Sequence, residues 1–81
     1  MKTLDEMTIT LESDGEEREL HVQLNGVARD KKYQKEINKL LIKLSHRRYG
    51  EMLSGQPVHV DKRKGCYVVS TSDGRKLLGR M

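Results

Sequence analysis

Two alternating runs that face each other across an Asp-Gly pair constrain this chain most. Met7, Ile9 and Leu11 alternate with Thr8, Thr10 and Glu12, while Leu20, Val22 and Leu24 alternate with Glu19, His21 and Gln23, and Asp14-Gly15 lies between the runs. A period of two places each apolar set on one face of a strand. Asp-Gly suits a two-residue type I′ turn, whose central positions both need left-handed backbone. Such a turn sets Ser13 against Glu16, Ile9 against Leu20 and Met7 against Val22, which brings both apolar sets to the same side. A slip of one residue would turn the whole apolar set to water, so the pattern and the turn specify a single hairpin register.

After Asn25-Gly26 the period changes. Tyr33, Ile37, Leu40, Leu41 and Leu44 fall at helical spacing along one stripe, which predicts a helix of about five turns from about Arg29 to Tyr49. Gly50 stands where a C-terminal stop is favoured, and Arg47 and Arg48 suit the negative end of the helix dipole. Met52 and Leu53 then extend a short turn or plug the core, and Ser54, Gly55, Gln56 and Pro57 make a loop. Beyond it Val58 and Val60 alternate with His59 and Asp61, Lys62 to Gly65 read as a basic turn, and Cys66 to Thr71 read as a strand. Asp73-Gly74 offers another hairpin turn before Lys76 to Arg80. The expected fold class is α+β, a small antiparallel β-sheet with one amphipathic helix packed on one face, in the order ββαβββ.

Eighty-one residues suffice for a single domain spanning 1–81, with residues 1–6 as a flexible N-terminus. Phe and Trp are absent and Tyr occurs three times, so the core must be built from Leu, Ile, Val and Met and should be modest. No apolar run approaches the ~20 residues that span a bilayer, and Met1 to Glu6 are polar and acidic where a signal peptide is apolar. The single cysteine, Cys66, cannot form an internal disulfide. A small soluble protein of the cytoplasm, without a membrane partner, is the expectation.

Charge carries the functional information. The formal net charge is +4, yet the chain up to Gly26 holds two lysine or arginine residues against seven acidic ones, and the remainder holds fourteen against five, so the two segments carry −5 and +9. Asymmetry of this size creates a local potential suited to an anionic partner. On the predicted helix Lys31, Lys35, Lys39, Lys43 and His46 gather opposite the apolar stripe, with Lys32 and Arg47 on its flank and Ile42 pointing outward among them. Asp30 and Glu36 are the acids of that segment, too few for the interleaving of signs that serves solubility alone. Lys62, Arg63 and Lys64 add a second cationic cluster on a hairpin turn. Phosphate contacts from these residues make nucleic-acid binding, to DNA or RNA, the preferred function. A phage- or plasmid-type protein that binds and inhibits or regulates a host protein is the alternative. The acidic N-terminal segment, with Asp5, Glu6, Glu12, Asp14, Glu16, Glu17 and Glu19, serves as a solvated edge, as a docking surface for a basic protein or as a guard against edge pairing.

Catalysis and cofactors find less support. His21, His46, His59 and Cys66 show no paired metal-ligand spacing, so neither a metal nor another cofactor is expected. Cys66 has Lys62, Arg63 and Lys64 nearby, but a strand cysteine serves more often as a small hydrophobe than as a nucleophile. A ribonuclease toxin can be assembled from His46, Arg47, Arg48, Tyr49, His59 and Asp61 as acid, base and phosphorane-stabilising groups, but nothing fixes their spacing and an enzyme is not expected. Gly74 to Met81 matches a phosphate loop only in its glycines, because Arg80 and Met81 stand where Lys and Ser or Thr are required.

Overall fold

The computed structural model describes residues 3–13, 15–52, 56–72 and 74–79. Five strands, β1 (Glu6–Ser13), β2 (Glu16–Asn25), β3 (Val58–Arg63), β4 (Cys66–Ser70) and β5 (Lys76–Gly79), form one sheet in sequential order, with helix α1 (Gln34–Met52) between β2 and β3. The β1–β2 hairpin has the register that its alternation specifies: Ser13 faces Glu16, Ile9 faces Leu20 and Met7 faces Val22. β5, marked in the sequence by little more than Asp73-Gly74, pairs with β4 from Tyr67↔Gly79 to Ser70↔Lys76.

The sheet is mixed rather than wholly antiparallel. β1–β2, β3–β4 and β4–β5 run antiparallel, but β2 and β3 are parallel, with Val22 opposite Val58 and Leu24 opposite Val60. The helix is the reason: it returns the chain to the end of the sheet where β2 began, and the next strand then runs in the same direction beside β2.

The helical region also differs from its expected bounds. Instead of one helix from Arg29, two 3-10 turns, Gly26–Arg29 and Lys31–Tyr33, precede α1. Asp30 divides them with extended backbone (φ −66, ψ 127), and its carboxylate accepts the Lys32 N–H at 3.1 Å. Asp competes in this way for nearby backbone donors and starts helices better than it continues them. Lys31 and Lys32 therefore lie on the lead-in, not on α1 itself. At the other end the helix passes through Gly50 to Met52; an interior glycine costs only about 1 kcal/mol relative to alanine and does not by itself stop a helix. Leu53 and Asp73 lie outside the described residues.

The segment before β1, expected to be loose, is tied to the turn after β2. Leu4 N–H donates to the Arg29 carbonyl at 2.7 Å, Leu24 N–H donates to the Asp5 carbonyl at 2.8 Å, and the Arg29 guanidinium meets the Asp5 carboxylate at 2.7 Å.

One side of every strand builds the core. Ile9, Leu11, Leu20, Val22, Leu24, Val58, Val60, Tyr67, Val69 and Leu77 share it with Ile37, Leu40 and Leu41 of the helix, and Leu4, Met7, Tyr33 and Leu44 pack at its margins. Ser45 is buried beside them with its hydroxyl donating to the Ile42 carbonyl at 2.6 Å. The Leu40 side chain lies against the β5 backbone at Gly79, where a Cβ would stand 2.5 Å from a Leu40 methyl carbon. No helix among the described residues is long and apolar enough to cross a membrane.

Leu41 is fully buried, so Leu41→Ala should cost about 2–5 kcal/mol, read as a lowered midpoint in urea. An unchanged midpoint would contradict the packing. Gly79→Ala should also destabilise, by about 1–3 kcal/mol, because Leu40 must leave its place to admit the methyl group. Retention of full stability in that variant would show that the helix does not rest on β5.

Candidate nucleic-acid interface

The face of α1 turned away from the sheet follows from the burial of Ile37 and Leu41. At 100° per residue Lys35, Lys39 and His46 lie opposite them, with Lys43 and Arg47 toward one flank and Ile42 toward the other, and all six are exposed. Lys35, Lys39 and Lys43 follow one another at four-residue intervals, about 6 Å of helix rise per step. Among the described residues no carboxylate stands within ion-pair distance of any of them. Two acids near the start of the row are occupied elsewhere: Asp30 caps the lead-in turn through the Lys32 N–H, and half-buried Glu36 lies beside Tyr67. The lysine row is therefore left without internal neutralisation.

The second expected cluster is divided by the strand that carries it. Lys62 and Arg63 are not in the turn but at the end of β3, and only Lys64 and Gly65 form the connection, with Arg63 facing Cys66 across it. Continuing the alternation of Val58 and Val60, Lys62 points to the helix side of the sheet, where its Nζ lies 5.0 Å from the centre of the Tyr33 ring and 4.9 Å from that of Tyr67. Lys32 Nζ lies 5.1 Å from the same Tyr33 ring. Arg63 points to the opposite face and meets Asp61 at 3.3 Å. Lys64 is exposed at the tip, and Lys31 is exposed on the lead-in turn. Lys32 and Lys62 thus converge at the start of α1, and Arg63 does not share a surface with the helix lysines.

The tyrosine sandwich is the feature of this region that residue-type reasoning missed. Its signal was the parity of β3: two residues after buried Val60, Lys62 must also face inward. Each cation over a ring is worth roughly 0.5–1 kcal/mol when partly exposed. Tyr67 is buried, and the Glu36 carboxylate is the polar group beside its hydroxyl. Burial, and after it the negative charge of nearby Glu36, push the Tyr67 phenol up to about 12.

The groups considered for hydrolysis do not meet. His59 and Asp61 alternate with buried Val58 and Val60 and so lie on the sheet face away from the helix, whereas His46 stands on the helix. The side chains of Arg48 and Tyr49 are outside the described residues. Cys66 is half-buried on that same outer face, opposite Arg63. Among the described residues no three His, Cys, Asp or Glu side chains gather at one point. The acidic residues collect on the hairpin instead, where Glu12 faces Glu17 and Thr10 faces Glu19 on the outer face.

No protein-family model matches this sequence, and no curated protein and no solved structure matches it.

The raised Tyr67 pKa has a definite sign in stability. A phenol that ionises near 10 in the unfolded chain and near 12 in the folded one stabilises the fold fully below about pH 10, and that contribution is lost as pH rises towards 12. Tyr67→Phe, which removes the ionisable hydroxyl, should lose less stability than the parent between neutral pH and pH 11. Urea titrations at both pH values measure this. A variant that loses stability equally with the parent on going to pH 11 would contradict the assignment.

Proposed function

We propose that this protein binds nucleic acid through the outer face of α1, with Lys35, Lys39 and Lys43 as the phosphate-contacting row and Lys31, Lys32, His46 and Arg47 around it. The observation that carries the reading is the lack of internal ion pairs among the described residues along that row. Like charges held side by side repel, and a polyanion relieves the repulsion while releasing its condensed counterions. The concentration of acidic residues on the hairpin, with Glu12, Glu16, Glu17 and Glu19, supports the same orientation, since that end repels phosphates and leaves the helix as the face of approach. Tyr33 and Tyr67 have their rings engaged by Lys62, so backbone contact rather than base stacking on these rings is the mode that fits.

Fluorescence anisotropy with labelled DNA and RNA duplexes over a range of salt tests the reading. Three lysines that each meet one phosphate give a slope of log K against log salt of roughly −3 for duplex DNA. Replacing Lys35, Lys39 and Lys43 together by Glu should abolish measurable binding while the circular dichroism stays helical, because these positions are exposed and Glu is a good helix former. Replacing Glu16, Glu17 and Glu19 by Lys should not weaken it. Absence of salt-dependent binding in the parent, or equal binding by the lysine-reversed variant, would remove the proposal.

A further inference from the structure

The two free edges of the sheet are not alike. β5 is four residues long and begins with Lys76, whereas β1 runs for eight residues in unbroken register without Lys, Pro or a bulge, and its guard is the negative charge of Glu6 and Glu12, which turns away acidic segments but not basic ones. The two-residue connection fixes which β1 groups are already used. It makes Ser13 and Glu16 a hydrogen-bonded pair, so the odd residues of β1 bond to β2 and the N–H and C=O groups of Thr8, Thr10 and Glu12 point to the free side. The bond from Leu24 N–H to the Asp5 carbonyl, one step beyond Glu6↔Gln23, confirms that it is the odd set that faces β2.

Beside this edge lies a groove of about 470 Å³ lined by Thr10, Leu11, Glu12, Ile42, Ser45 and His46. Thr10 and Glu12 project to one face of the sheet and Leu11 to the other, so a space that touches all three lies at the margin of the strand and not over either face. Its far wall is the helix, through Ile42, which is 37% exposed. An exposed strand edge with a partly apolar wall running alongside is the geometry in which extended peptides add to a sheet, main chain to main chain, with alternate side chains entering the groove.

Charge states which peptide fits. On an added strand, one set of side chains would lie beside Leu11 and Ile42, which suits Val, Ile or Leu. The other set would lie on the outer face beside Thr10 and Glu12, with Glu17 and Glu19 in the next strand. Glu12 and Glu17 stand directly opposite each other, a like-charged pair that destabilises the hairpin and that a lysine or arginine alongside would relieve. We propose that β1 and its groove receive an extended segment of a partner protein, in which apolar residues alternate with basic ones, as a sixth strand of the sheet. This surface adjoins the lysine row at His46 but uses the strand edge and not the lysines, and it does not depend on nucleic-acid binding.

The test uses a short synthetic peptide alternating valine and lysine, and a control in which two central valines are proline, so that charge is kept and strand pairing is lost. Binding measured by anisotropy is expected for the first and not for the second. In the same complex, hydrogen exchange followed by NMR should slow by about tenfold or more at the Thr8, Thr10 and Glu12 amides, with the odd amides little changed. Ile42→Gln, an exposed substitution, should weaken peptide binding several-fold without altering the fold. Equal binding of the proline control, unchanged exchange at Thr10, or no effect of Ile42→Gln would overturn the proposal. So would protection of these amides in the free protein together with sedimentation as a dimer, since a second copy would then occupy the edge.

Discussion

One helix has to cover a sheet that is wider than itself. A helix with its side chains is about 10–12 Å across, and the outer strands of a five-stranded sheet stand roughly 19 Å apart. α1 meets this constraint with side chains that reach both margins, Leu40 against Gly79 of β5 and Ile42 and Ser45 beside β1. At Gly79 the absent side chain leaves room for Leu40 against β5, while Ile37 and Leu41 are buried in the core. Tyr67 is the largest of the fully buried side chains in that core. At the margin along β1 an open groove remains between the strand and Ile42, Ser45 and His46.

The same constraint sorts the charges. Because a single stripe of α1 serves the core, the rest of its circumference is free of packing duties, and that is where the lysines stand. Their acidic neighbours have local tasks, Asp30 at a backbone amide and Glu36 beside Tyr67, so the row keeps its full charge. Lys62 is handled differently. Its position on the inner face would be costly for a cation in an aliphatic setting, and the ring faces of Tyr33 and Tyr67 provide an electrostatically suitable one while its stem covers apolar surface.

Much of this was legible in the residues, and what was not has identifiable causes. The hairpin register was readable because turn geometry and side-chain parity agree from Met7 to Val22. The helix stripe was readable because Ile37, Leu40 and Leu41 are needed by the core. Parity, however, reports only which face a strand residue takes, not which strand lies beside it, so the parallel pairing of Val22 with Val58 left no mark in the sequence. The start of α1 was obscured by Tyr33, which keeps helical phase with Ile37 although it belongs to a 3-10 turn. Treating Lys62 to Gly65 as one turn hid the inward course of Lys62, because charge suggested a loop where alternation said strand. The lysine row itself was visible, but the absence of neutralising partners depends on where Asp30 and Glu36 point, and that is a property of the fold.

The parallel joint between β2 and β3 also sets the order in which the chain can assemble. The β1–β2 hairpin and the β3–β4–β5 meander each pair residues close in sequence, and such contacts close quickly. Val22 and Val58, by contrast, meet only after the whole helical crossover has been gathered in, at the entropic cost of a long loop. Before that closure the chain consists of an acidic hairpin and a basic remainder of opposite charge, whose mutual attraction favours the encounter that the joint requires. The charge separation that shapes the surface of the finished domain thus also bears on how fast its two halves find each other.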